Sequence, residues 1–181
     1  MIAGRTGHLI STYSPFVWYK PHRWLSAGIR AFTGSKWGHT AALIDLWGEW
    51  FVIELDPSPR ITPFDKWKQT DKVMRLSEFK HIYNDKTWAQ YALSKQDGGT
   101  KYDYFSLFFY QPIYILTGQW IGRKSHKAHT RLYCSEYIAM IWNKMFATAY
   151  PEWWTATPRE LAEDINFQVL YEGKCKDLTI V

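Results

Sequence analysis

A chain of 181 residues, 46% of them hydrophobic, is long enough to bury one proper core and short for two, so one domain over 1–181 is expected. With 22% charged residues and no low-complexity stretch, disordered and fibrous classes are excluded. The formal charge of +5 favours an anionic partner, whether nucleic acid, anionic lipid or a carboxylate-bearing cell-wall peptide, and does not choose among them.

In chain order, Met1 to His8 carries one Arg and no apolar run behind it, so synthesis without Sec export, in the cytoplasm, is expected. His8 to Thr12 reads as a short strand. Pro21 can take a first helical position, with Trp24, Leu25, Ile29 and Phe32 making one apolar stripe and Gly34 stopping the helix. Gly38 to Asp45 and Trp50 to Leu55 read as two strands of a β-hairpin turning at Trp47 and Gly48. Asp56, Pro57, Ser58 and Pro59 close the second strand, and Val73 to Leu76 adds a third after a polar connection.

Asp85 to Gln96 has helical character, with Trp88, Tyr91 and Ala92 on one side and Gly98 and Gly99 at its end. The uncharged stretch from Tyr104 to Gly122 is nearly long enough to span a bilayer, but Gln111, Pro112, Thr117, Gly118 and Gln119 interrupt it, so it reads as buried or interfacial. From Cys134 to Phe146 the residues Ile138, Ile141, Trp142 and Met145 recur at helical spacing, with Glu136 early and Lys144 late, as the helix dipole favours. Cys134 therefore opens a helix. Thr157, Pro158 and Glu160 form a capping-box start, and Phe167, Val169 and Tyr171 alternate as in a last strand. The aromatic content of 18%, with 11 Trp, fits a Trp-rich core with amphipathic rims, or a membrane-adjacent surface.

Two cysteines far apart in sequence do not form the framework of a disulfide-stapled domain. Cys175, in the run Gly173 to Lys176, is expected to be a tail thiol without a role. Cys134 is different, because a helix N-terminus and nearby cations favour a thiolate, and the segment from Arg123 to Arg131 is strongly basic. A nucleophilic thiol needs a base on a rigid element, and His39 enters a strand just after Gly38. A third group should hold the other ring nitrogen. With a two-residue turn at Trp47 and Gly48, Ala41 faces Glu54, so His39 and Glu54 become diagonal neighbours on one face. A three-residue turn would separate them. Glu54 sits in an otherwise apolar strand where an unpartnered charge is expensive, and His39 supplies a reason for it.

The order Thr33-Gly34-Ser35-Lys36-Trp37-Gly38-His39 entering a strand, then Glu54, then Tyr133-Cys134-Ser135-Glu136 opening a helix resembles the circularly permuted, NlpC-like branch of the papain-fold peptidases. These are the YiiX-type proteins, with lecithin:retinol acyltransferase-like enzymes as relatives. Gly99 to Tyr104 looks like that family's glycine-to-tyrosine segment, and Thr157 to Leu161 like its late Thr-Pro helix start. The resemblance implies an α+β fold, an antiparallel sheet or small barrel packed against helices, with the nucleophile at a helix N-terminus. It implies Cys134 as nucleophile, His39 as general base and Glu54 as third residue, no cofactor and no metal, with Tyr102 lining a substrate site.

The expected activity is thus a thiol hydrolase acting on a peptide, isopeptide or cell-wall amide, or on an ester, through an acyl-enzyme. The alternatives are a lipid acyltransferase or thioesterase of the same fold, or a non-catalytic basic module binding lipid or nucleic acid. The aromatic segment suits a lipid substrate or an anionic membrane surface, whereas a cell-wall peptidase made without an export signal would need another way out, such as a phage lysis system. No nucleic-acid motif is present. His126, His129 and Cys134 could gather around zinc, but no fourth ligand is evident.

Overall fold

The computed structural model describes residues 1–14, 30–31, 34–96, 99–103, 109, 113, 116–117, 131–146 and 153–181, with residue 131 described by its backbone alone. The expected helix from Pro21 to Phe32 therefore lies outside the described residues except for Arg30 and Ala31, which are helical. Most of the uncharged aromatic stretch and the basic run with His126 and His129 also lie outside them.

Six strands form one antiparallel sheet: β1 (Leu9–Tyr13), β2 (His39–Leu46), β3 (Glu49–Leu55), β4 (Pro59–Pro63), β5 (Val73–Phe79) and β8 (Phe167–Lys174). Their order is β4-β3-β2-β1-β5-β8. This is an open sheet with β4 and β8 as its outer strands. β6 (Lys101–Tyr102) and β7 (Arg131–Leu132) pair in parallel beside it. Among the described residues, the helices seen from end to end are α1 (Phe64–Trp67), α2 (Asp85–Ser94), α3 (Cys134–Met145) and α4 (Pro158–Glu163).

The central strands read as continuous apolar runs because both faces of the sheet are covered. On one face Leu9, Ala42, Ile44, Ile53 and Leu55 pack with Ile138, Ile141 and Trp142 of α3 and with Trp88 and Ala92 of α2. On the other, Ile10, Ala41, Leu43, Val52 and Leu76 pack with Phe64 and Trp67 of α1 and with Cys175 and Leu178. Cys175 is therefore a fully buried core residue rather than a tail thiol. Its burial pushes the thiol up to about 11, which suits packing rather than chemistry.

The hairpin forms as the sequence predicts. Trp47 and Gly48 adopt φ of 60° and 84°, the two positive values of a type I′ turn, and the Asp45 carboxylate accepts from the Gly48 amide at 2.8 Å. Glycine is needed at the second position, while Trp47 bears the left-handed conformation at the exposed tip. Gly34, with φ of 61°, ends the helix of Arg30: the Ser35 amide donates to the Arg30 carbonyl at 3.3 Å, the six-to-one bond of a Schellman stop.

Three expectations need correction. The polar connection after β3 contains β4 and the single turn of α1, because Ile61, Phe64 and Trp67 give it apolar anchors. The strict alternation expected along β8 is interrupted by a register shift where it pairs with Leu76 and Ser77, which leaves Val169 exposed. The third strand runs on to Phe79. No helix among the described residues is long and apolar enough to cross a membrane.

Trp142 organises the aromatic core: its ring lies 4.6 Å from Phe79, 4.9 Å from Tyr83, 5.7 Å from Phe167 and 5.8 Å from Trp88. Trp142→Ala should destabilise the fold by about 3–5 kcal/mol, read as a drop in the urea midpoint at unchanged m-value.

Candidate active site

Cys134 is the first residue of α3. The helix starts there because Glu136 folds back and its carboxylate accepts from the Tyr133 amide at 3.1 Å, half of a capping box. The Ser135 hydroxyl, fully buried, donates to the Ala156 carbonyl at 2.7 Å and ties this first turn to the segment before α4. There Thr157 and Glu160 exchange a complete box, at 3.1 Å and 2.7 Å. The helix end carrying Cys134 is thus held from two sides.

His39 begins β2, and Ala41 faces Glu54 across the hairpin, the register that the two-residue turn predicts. The diagonal pair meets: His39 Nε2 lies 2.7 Å from Glu54 Oε2, with Glu54 fully buried and the His39 side chain 15% exposed. Because Nε2 faces the carboxylate, Nδ1 is the ring atom left for Cys134. The remaining oxygen of Glu54 is also occupied, since Arg60 Nε donates to Oε1 at 2.7 Å. Arg60 also reaches Asp56 at 3.2 Å.

The electrostatics follow from these contacts. Burial alone would lower the imidazole pKa, but the Cys134 sulfur and the Glu54 carboxylate beside it outweigh that and raise it to about 10. His39 is thus held as an imidazolium through neutral pH. Burial would raise Glu54, yet His39 first, then Arg60 and Lys72, hold its carboxyl well below the usual carboxylate range.

Of the four residues singled out from sequence, three come together: Cys134, His39 and Glu54. Tyr102 is half-buried in β6, and its amide donates to the Pro57 carbonyl at 3.0 Å. Tyr102 pairs with Leu132, two residues before Cys134. That puts its backbone beside the strand that delivers the thiol. Arg60 was not anticipated. It stands directly opposite Glu54 in the β3–β4 pair, and recognising β4 behind Pro59 would have been the signal. Among the described residues, no three His, Cys, Asp or Glu side chains are grouped to hold a metal ion.

The stability of the pair should depend on pH from both sides. His39, raised above its unfolded value near ~6.5, contributes fully below that pH, and its contribution is lost as pH rises through about 10. Glu54, depressed, contributes above the ordinary carboxylate range and loses that contribution as pH falls through its lowered value. Urea midpoints of the wild type should therefore decline toward pH 10, and Glu54→Gln should make that decline shallower; equal slopes would mean that the two groups are not coupled. Glu54→Ala should cost about 3 kcal/mol, the low end for a broken buried pair because Arg60 is 45% exposed. Arg60→Ala should raise the Glu54 pKa, measurable by carboxyl carbon NMR.

No family model and no curated protein matches the sequence. Among solved structures, the chain is similar to the crystal structure of the metalloprotein YiiX from Escherichia coli O157:H7, at a TM-score of 0.66 and 16% identity, over 94% of this chain and 98% of that one. This chain therefore has a YiiX-like fold: a mixed α and β structure with a six-stranded antiparallel sheet.

Proposed function

We propose that this protein is a thiol hydrolase of the circularly permuted, NlpC-like papain type, cleaving an amide or ester through Cys134. The observation that carries this reading is the chain of contacts from Arg60 through Glu54 to His39 and on to the Cys134 sulfur at a helix start. A buried carboxylate that fixes an imidazole next to a thiol is the arrangement that nucleophilic catalysis requires.

In the first step His39 Nδ1 holds the proton of Cys134, and the thiolate attacks the carbonyl carbon. The oxyanion that develops faces the start of α3, where the Cys134 amide belongs to the first-turn donors without intrahelical acceptors. His39 then gives its proton to the leaving amine or alcohol, and an S-acyl enzyme remains. Water, losing its proton to His39, attacks the thioester and frees the acid and the thiol. Glu54 keeps the ring oriented and stabilises the imidazolium throughout, without itself taking the proton.

YiiX is named a metalloprotein, so a metal deserves a test against the residues. Both oxygens of Glu54 are engaged, one by His39 and one by Arg60. With no grouping of three suitable side chains among the described residues, this donor set does not fit a metal ion. No step here passes through one.

The pH dependence of iodoacetamide labelling, with mass spectrometry locating the adduct, tests the pair. Cys134 should label well below pH ~8.5, the ordinary thiol value, and His39→Ala should abolish that low-pH reactivity. An ordinary thiol profile that is indifferent to His39→Ala would overturn the reading.

A further inference from the structure

The chain reaches His39 through Trp37 and Gly38, and Trp37 is only 1% exposed. Its ring meets Tyr13 edge-on, 5.7 Å between centroids. Two cations lie over it, Lys36 Nζ at 4.8 Å and the Arg75 guanidinium carbon at 4.9 Å from its centroid, within the range of cation–π attraction. The Gly38 amide then donates to the Thr12 carbonyl at 3.0 Å, and Thr12 is the residue paired with His39. The indole of Trp37 is thus the last anchored side chain before the imidazole.

Arg75, in the middle of β5, engages all three of its guanidinium nitrogens. Nε donates to Glu172 Oε2 at 2.9 Å, and Nη2 lies 2.7 Å from the same oxygen; Glu172 is its partner across the β5–β8 pair. Nη1 donates to the Ala162 carbonyl at 2.9 Å. Lys36 also pairs with Glu172, so one carboxylate collects both cations that lie over Trp37. Ala162 is in the last turn of α4, where carbonyls lack intrahelical partners and the helix dipole favours a cation. At its other end α4 follows on Ala156 and Thr157, and the Ala156 carbonyl accepts from the Ser135 hydroxyl beside Cys134.

One guanidinium therefore holds two segments at once. On one side is the chain entering His39, and on the other the helix whose leading residues pin the turn carrying Cys134. We propose that Arg75 is a positioning residue for the Cys134–His39 pair, keeping Trp37 and α4 in the relative placement that brings His39 Nδ1 to the sulfur. This role rests on the thiol-hydrolase reading, and Arg75 itself touches neither reacting group: its partners are Glu172, Ala162 and Trp37. The planar fork matters, because a lysine ammonium could keep Glu172 but could not span Glu172 and Ala162 while staying over the indole. Displacing a reacting group by about 1 Å costs on the order of 100-fold in rate, so a small loosening here is read in the chemistry before it is read in the fold.

The test compares iodoacetamide labelling of Cys134 across pH in the wild type, Arg75→Lys and Arg75→Met, at a temperature where far-UV circular dichroism shows each fully folded. In both variants the profile should move up toward the ordinary thiol value near ~8.5. The rate at about pH 6 should fall at least tenfold, while the rate at about pH 10, where any thiol is ionised, stays unchanged. A merely structural Arg75 would leave the profile of the folded protein where it is. Full reactivity in Arg75→Lys would mean that the charge acts rather than the fork, and would overturn the proposal. So would a wild-type profile in Arg75→Met, or equal losses at both pH values, which report access to the thiol rather than its pairing. Should Arg75→Met fail to fold, Arg75→Lys decides alone. An ordinary thiol profile in the wild type would sink the hydrolase reading and this role with it, whereas a low-pH profile that survives in the variants would sink this role alone.

Discussion

A carboxylate with no exposed surface, inserted into a strand of Phe, Val, Ile and Leu, is the constraint to which the candidate site answers. Glu54 cannot be buried there without partners, because desolvation of a charge is far more expensive than any nearby packing gain. Arg60 and His39 each take one of its oxygens. Both partners come from neighbouring strands, so the ion cluster also fixes how β2, β3 and β4 align. One interaction serves both the strand pairing that makes the hairpin and the orientation of the imidazole on which the proposed chemistry rests.

Around this cluster the fold brings a strand start and a helix start together. α3 packs its apolar face against β2 and β3 through Ile138, Ile141 and Trp142, and its first turn is pinned by Glu136 and by the Ser135 bond to Ala156. These restraints fix the first turn of α3, and with it the position of Cys134 beside the start of β2, as the proposed acyl transfer would require. The oxygens of the supporting carboxylate are already spoken for, which favours a relay over a ligand set.

His39, half-buried at the start of β2, and His8, buried just before β1, show how environment, not residue type, sets behaviour. His39 touches an anionic partner on one side and the thiol sulfur on the other, and its pKa rises to about 10. His8 is lowered to about 4, by burial first and then by the Arg5 guanidinium, against the opposing pull of Glu78. The first is held charged, the second neutral.

Much of the site was legible in the sequence, because it depends on short-range rules. A two-residue turn at Trp47-Gly48 fixes the parity that puts His39 and Glu54 on one face, and apolar spacing with Glu136 early places Cys134 at a helix start. The Thr157 capping box is equally local. What only the tertiary structure decided depends on contacts between distant segments. Arg60 reaches Glu54 only because the chain doubles back through Asp56-Pro57-Ser58-Pro59, a stretch whose prolines read as a strand end rather than a turn into β4. Cys175 looks like a tail thiol between two lysines, yet the final segment folds under the sheet and buries it. β6 and β7 are two residues each and pair across a long intervening stretch, so no local period announces them. Local propensity and parity settle which residues can face one another; burial, and with it the charge state of His39, Glu54 and His8, is settled by what packs against them from elsewhere in the chain.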